Sequence, residues 1–116
     1  MKYSFLGIMY TAIGAVFMMP KYTLFLDDIR CPSDSSNIVA RSSLEAMEII
    51  QKYGLPSCMY LDHDLGGEDT TMKFLKMLYE AYPDGPIPEY EIHSNNFVGR
   101  KNIESFLNSW EKSLAL

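Results

Sequence analysis

The chain has 116 residues, 47% of them hydrophobic and 22% charged, with a formal net charge of −5. That balance excludes a disordered polypeptide, and the length suits one domain with one core. The absence of a long basic stripe argues against duplex DNA as a partner. A small phosphorylated ligand suits the acidity when a bound metal supplies the positive charge.

Residues 1–18 form an apolar N-terminal extension with Lys2 as its one basic residue. It reads as a short membrane anchor, as a signal peptide with a weak basic region, or as sequence upstream of the true start. The last is favoured, because Met18-Met19 directly precede Pro-Lys-Tyr-Thr-Leu-Phe-Leu, the approach to a first strand. The working domain is then 19–116, with a membrane partner only if the extension is genuine. Cys31 and Cys58 show neither C-x-x-C nor zinc spacing, so reduced thiols in a cytoplasmic protein are the expectation.

From Lys21 onward, strand and helix signals alternate. Tyr22–Leu26 is a run of β-formers that stops at Asp27-Asp28. Turn composition over 31–37 leads to a brief second strand, Ile38–Ala40. Ser42 with Glu45 is a capping box, followed by a helical stripe of Leu44, Met47, Ile50 and Tyr53 and a Gly54 stop. Ser57–Leu61 is the third strand, and it runs into Asp62-His63-Asp64-Leu65-Gly66-Gly67. Asp69 is expected to cap the next helix, whose apolar face is Met72, Leu75, Leu78, Tyr79 and Tyr82, before the proline-rich stop at 83–88. Tyr90–Ile92 is a fourth strand, and Ile103, Phe106, Leu107, Trp110 and Leu114 mark a last helix. The alternation predicts an α/β domain with a mostly parallel sheet, its central strands covered on both faces.

Polar clusters follow three separate strands: Asp27-Asp28-Ile-Arg30, Asp62-His63-Asp64 and His93-Ser94-Asn95. In an open parallel sheet these ends share one edge, where such folds bind ligands. Four aspartates brought together repel unless they take up protons or share a cation, and oxygen ligation favours Mg²⁺ or Mn²⁺. Asp27, Asp28 and Asp62 are the expected ligands; Asp64 is either a fourth or the residue that orients His63. The plainer alternative is that these aspartates cap loops. His63 and His93 are the only histidines, and together beside carboxylates they suit general acid and base roles. Arg30, Arg100 and Lys101 are candidate phosphate-binding cations, the last two near a helix N-terminus that a bound anion would suit. Ser94 and Asn95 are candidate donors to phosphate oxygens.

The motifs LFLDDIRCP (24–32), VARS (39–42), YGLP (53–56), LDHDLGG (61–67) and HSNNFVGRKNIESFL (93–107) occur in order at fitting distances. From about Leu24 to Leu107 the chain resembles the cyclic-phosphate processing receiver domain family. The resemblance implies a shortened receiver-like, flavodoxin-like sandwich of about four strands and three helices. It implies that Asp27 and Asp28 are the Mg²⁺-binding acidic pair, that Asp62 matches the phosphoryl-accepting aspartate, and that Ser94 matches the hydroxyl residue at the fourth strand end. It assigns His63 and His93 to cyclic-phosphate processing. Two departures argue against two-component phosphotransfer: no fifth strand exists to carry a lysine, and no helix fits between Arg30 and Ile38.

The leading functional expectation is therefore a metal-dependent phosphoesterase acting on a cyclic phosphate of a nucleotide or RNA end. The main alternative is a non-catalytic module that binds a phosphorylated ligand or a protein partner at the same edge. A phospho-accepting receiver using Asp62 is a third.

Overall fold

The computed structural model describes residues 22–33 and 37–115. The N-terminal extension and the expected start at Met18-Met19 lie outside the described residues. Four strands, β1 (Thr23–Leu26), β2 (Asn37–Ala40), β3 (Cys58–Leu61) and β4 (Glu89–Ile92), form one sheet in the order β2-β1-β3-β4. All three pairings are parallel. Three helices follow the strands: α1 (Ser43–Tyr53), α2 (Thr71–Ala81) and α3 (Phe97–Leu114). This is the shortened receiver-like α/β arrangement that the sequence predicts. Among the described residues no helix is long and apolar enough to cross a membrane.

Strand periodicity divides the sheet into two faces. Leu24 and Leu26 stand in register with Met59 and Leu61, and those with Tyr90 and Ile92. With Ile38 and Ala40 they form one face. Ala46, Met47 and Ile50 of α1, Phe74, Leu75 and Leu78 of α2, and Ile103, Leu107 and Trp110 of α3 join that face in a single core. The opposite face carries Thr23, Phe25, Asn37, Val39, Cys58, Tyr60, Glu89 and Glu91; Phe25 is buried there, but none of these joins the helix-side cluster. The expectation of helices on both faces is thus corrected: among the described residues they occupy one. Leu24-Phe25-Leu26 reads as a continuous apolar run, but its members face opposite ways.

Local signals place the helix ends. Ser42 Oγ accepts from the Glu45 N–H at 3.1 Å, and Gly54, at φ 90°, closes α1 by donating its N–H to Ile50 O. The return bond of the capping box is shifted by one residue, because Glu45 Oε1 accepts from the Arg41 N–H at 2.6 Å. The expected α1 stripe is partly wrong. Leu44 and Tyr53 are exposed, and the buried positions are Ser43, Ala46, Met47 and Ile50. The small residues at 43 and 46 are buried, and α1 packs against α2. Asp69 does not cap α2. Its two carboxylate oxygens accept from the N–H and hydroxyl of Ser43, at 2.8 and 2.6 Å, so it caps α1 from across the edge of the sheet.

Candidate functional site at the carboxyl edge of the sheet

The ladder continues one step past the strands. Asp27 N–H donates to Ala40 O, Asp62 N–H to Leu26 O and His93 N–H to Leu61 O, at 3.1, 3.0 and 2.8 Å. Arg41, Asp27, Asp62 and His93 therefore form one row across the carboxyl edge, in strand order. The sequence-derived clusters do share this edge.

Within the row, Asp27, Asp28 and Asp62 each offer a carboxylate oxygen, and these atoms lie within 4.8 Å of one another. Asp27 is buried at 3% exposure, while Asp28 and Asp62 are half-buried. Burial, and next the Asp27 charge, push the Asp62 carboxyl above the usual carboxylate range. Three crowded hard oxygen donors of this kind fit a divalent cation of the Mg²⁺ or Mn²⁺ type.

The loops around the cluster are tightly specified. Asp27 Oδ1 accepts from the N–H groups of Ile29 and Arg30, both at 2.9 Å, and its Oδ2 lies 3.9 Å from Arg30 Nε. Arg41 holds the same loop from outside. Its guanidinium donates to Asp27 O at 3.0 Å and to Arg30 O, and it reaches Cys31 Sγ at 3.1 Å. Residues 62–70 fold back on themselves through Leu65 N–H to Asp69 O and Asp69 N–H to Gly66 O, both at 3.1 Å. Thr71 ties that loop down by donating its hydroxyl to Asp62 O and its N–H to His63 O. Gly66, at φ 89°, brings its backbone close to Asp28, where an added Cβ would meet Oδ2 at 3.5 Å.

The two histidines lie on opposite sides of this edge. His63 Nδ1 is 3.0 Å from Asp64 Oδ1, and Asn96 donates to Asp64 Oδ2 at 3.3 Å. These hydrogen bonds hold the Asp64 carboxyl below the usual carboxylate range. Asp64 is not among the three carboxylates whose oxygens converge, and its Oδ1 lies beside His63 Nδ1. The His63 ring packs on the first turn of α3, where a Cβ at Gly99 would fall 2.4 Å from its Cγ. His93 instead lies on the face away from the helices. Its ring stacks on Tyr60 with centroids 4.5 Å apart, and its Nε2 is 3.3 Å from Glu91 Oε1. Hydrogen bonds from Tyr60 and then His93 lower the Glu91 carboxyl, and the bond to Glu91 raises the Tyr60 phenol.

The remaining candidates separate. Ser94 Oγ accepts from the Asn96 N–H at 3.0 Å, and Asn96 Oδ1 accepts from the Gly99 N–H at 2.9 Å as the α3 cap. Ser94 thus shapes the loop that starts α3, while Asn95 is exposed. Arg100 lines a cleft between β4 and α3 with Tyr90, Glu91, Ile92 and Glu104. The Lys101 ammonium lies 5.7 Å over the Phe97 ring. Arg30 is the one of the three proposed cations that the structure sets beside the carboxylates.

Sequence reasoning missed Arg41 and the clasp made by Asp69. Arg41 had a usable signal, as a basic residue immediately after β2 within the VARS motif. No curated protein and no solved structure matches the chain. The model of the cyclic-phosphate processing receiver domain matches residues 22–109, which span every strand and the edge with its aspartates and both histidines. A match over that share of the chain shows its membership: the protein belongs to the cyclic-phosphate processing receiver domain family.

Proposed function

We propose that the protein is a metal-dependent phosphoesterase that opens a cyclic phosphate. The observation that carries this reading is the convergence of the Asp27, Asp28 and Asp62 oxygens within 4.8 Å, in a chain of this family. Mg²⁺ or Mn²⁺ held by these three residues would offset phosphate charge and acidify a bound water.

The rest of the chemistry falls to the chain's own groups. Water adds to phosphorus, one ring P–O bond breaks, and the departing oxygen takes up a proton to leave a phosphomonoester and a free hydroxyl. One histidine removes the proton of the attacking water and the other supplies the proton of the leaving oxygen. His63 and His93 flank Asp62 from opposite sides of the sheet edge, which supports a division of labour between the two sides of phosphorus. Each has one ring nitrogen engaged by a carboxylate, Asp64 or Glu91, which leaves the other for proton transfer. Arg30 stabilises charge that builds on the phosphoryl oxygens.

Incubation of a panel of cyclic phosphates with Mg²⁺ or Mn²⁺, followed by phosphorus NMR, tests the reading. The expected product is a phosphomonoester. His63→Ala and His93→Ala should each lower kcat by about 10²–10⁴, and Asp27→Asn should remove the metal dependence. No turnover, or turnover indifferent to both histidine substitutions, would sink it.

A second reading is a ligand-binding module without turnover. The two backbone N–H bonds to Asp27 Oδ1 favour it, because they give that carboxylate a loop-organising role of its own. Stoichiometric binding of a cyclic phosphate that remains chemically intact would select this reading.

A further inference from the structure

β4 ends the sheet on one side. Glu89 and His93 donate their N–H groups toward β3, to Ser57 O and Leu61 O at 3.2 and 2.8 Å. Residues between them in the strand point the other way. Tyr90 and Ile92 therefore direct N–H and C=O away from β3, where no strand pairs with them among the described residues. Beside this row lies an open cleft of about 420 Å³, lined by Tyr90, Glu91 and Ile92 of β4 and by Arg100, Glu104 and Asn108 of α3. The three α3 residues recur at every fourth position and so form one stripe along the helix.

The side chains at this lateral edge are as incomplete as the backbone. Tyr90 and Ile92 stand in register with Met59 and Leu61 and share their face of the sheet. Met59 and Leu61 are fully buried, whereas Tyr90 and Ile92 stay half-exposed. A strand laid beside β4 would pair their backbone groups and cover their side chains in one step, which is how extended peptides add to a sheet.

Charge selects the occupant. Glu89 and Glu91 are both exposed, on the face away from the helices. On the helix side, burial and then the charges of Glu111 and Glu104 push the Tyr90 phenol up, so acidic groups surround this edge from both sides. A second copy of β4 would bring its own Glu89 and Glu91 onto the same face as these, like charge against like. A strand with basic side chains at alternate positions meets opposite charge instead.

We propose that the lateral edge of β4 docks an extended segment of a protein partner in which lysine or arginine alternates with apolar residues. The basic side chains meet Glu89 and Glu91, and the apolar ones cover Tyr90 and Ile92 in front of the α3 stripe. The contact does not depend on the phosphoesterase reading.

Amide exchange and titration by NMR on the full chain test it. In the free protein the Tyr90 and Ile92 amides should exchange ~10-fold or more faster than that of Glu91, which faces β3. Equally slow exchange would show the edge already filled, by the chain itself or by a second copy, and overturns the proposal. The probe peptides are acetyl-(Lys-Val)₃-Lys-amide and acetyl-(Glu-Val)₃-Glu-amide. The basic peptide should slow exchange at Tyr90 and Ile92 and bind ~10-fold or more tightly than the acidic one. Glu89→Lys and Glu91→Lys should each narrow that preference by about 2–5-fold, and two variants keep the test decisive if one fails to fold. A basic peptide that leaves Tyr90 and Ile92 unchanged, or acts only on Asp27, Asp28 and Asp62, overturns the assignment. So does a preference untouched in both folded variants.

Discussion

The two faces of the sheet are built from alternate residues of the same four strands, yet they serve different ends. Toward the helices, Leu24, Leu26, Met59 and Leu61 are fully buried and share one core with all three helices. Toward the other side, Phe25, Tyr60 and His93 form a stacked row across three successive strands, flanked by Glu91 and an open hollow. The first face carries the stability of the fold; the second holds groups with chemical handles. Among the described residues the helices lie on one side of the sheet, so the other face keeps polar and aromatic groups at its surface that a doubly covered sheet would spend on packing.

The sharpest way to break this contrast is to remove a ring from each face. Phe74→Ala, at a fully buried position, should lower the unfolding free energy by ~3–5 kcal/mol in urea titrations. Tyr60→Ala should cost clearly less, because its ring is only half-buried and lies outside the core. Equal losses would show that the second face is a core as well.

Gly99→Ala probes the helix-side edge. The new Cβ must displace the His63 ring, so the expected cost is ~1–3 kcal/mol, together with a change in the His63 ring resonances and none in those of His93. Asp69→Ala should cost ~1–2 kcal/mol, since Ser43 loses both its bonds at the start of α1.

Tyr22→Phe is the mildest change. Tyr22 donates its hydroxyl to Gly54 O at 2.6 Å, and removing it should cost ~1 kcal/mol. Burial, and next the charge of Tyr82, raise the Tyr22 phenol above the ordinary tyrosine value. The folded state therefore holds this proton more tightly than the unfolded chain does. Its contribution is fully present below the ordinary value of 10.0 and is lost as pH rises beyond it. Thermal melts of the wild type should fall above that point more steeply than those of Tyr22→Phe.

Element order and the acidic edge were legible in the sequence because both rest on local patterns. Strand runs that end abruptly in Asp27-Asp28 and Asp62 announce their own termini, and parallel alternation brings those termini together. The details that escaped depend on partners far away in the chain. Leu44 looked like a stripe residue because its spacing to Met47 is helical, but the buried face of α1 includes the smaller Ser43 and Ala46 instead. Asp69 looked like the cap of the nearest helix, whereas its partner is Ser43, 26 residues earlier. The two histidines looked like one pair because both end strands. Counting alternation would have separated them: His93 directly follows Ile92 of β4 and so faces away from the core, while His63 lies one residue beyond the row that holds Asp62.

The Asp69 clasp also bears on motion. The loop from Asp62 to Thr70 carries His63, Asp64 and Gly66, and a free loop of that size at a ligand edge would act as a flap. Here its far end is bonded to the first turn of α1, and its near end is bonded through Thr71 to Asp62 O and His63 O. Opening it requires fraying a helix from the other half of the sheet. Amide exchange at Leu65 and Asp69 should therefore follow that of Ser43 as one cooperative unit and stay slower than exchange in the loop containing Ile29. The edge has a wall on one side that is tied to a helix, and whatever adaptability it has must come from the other.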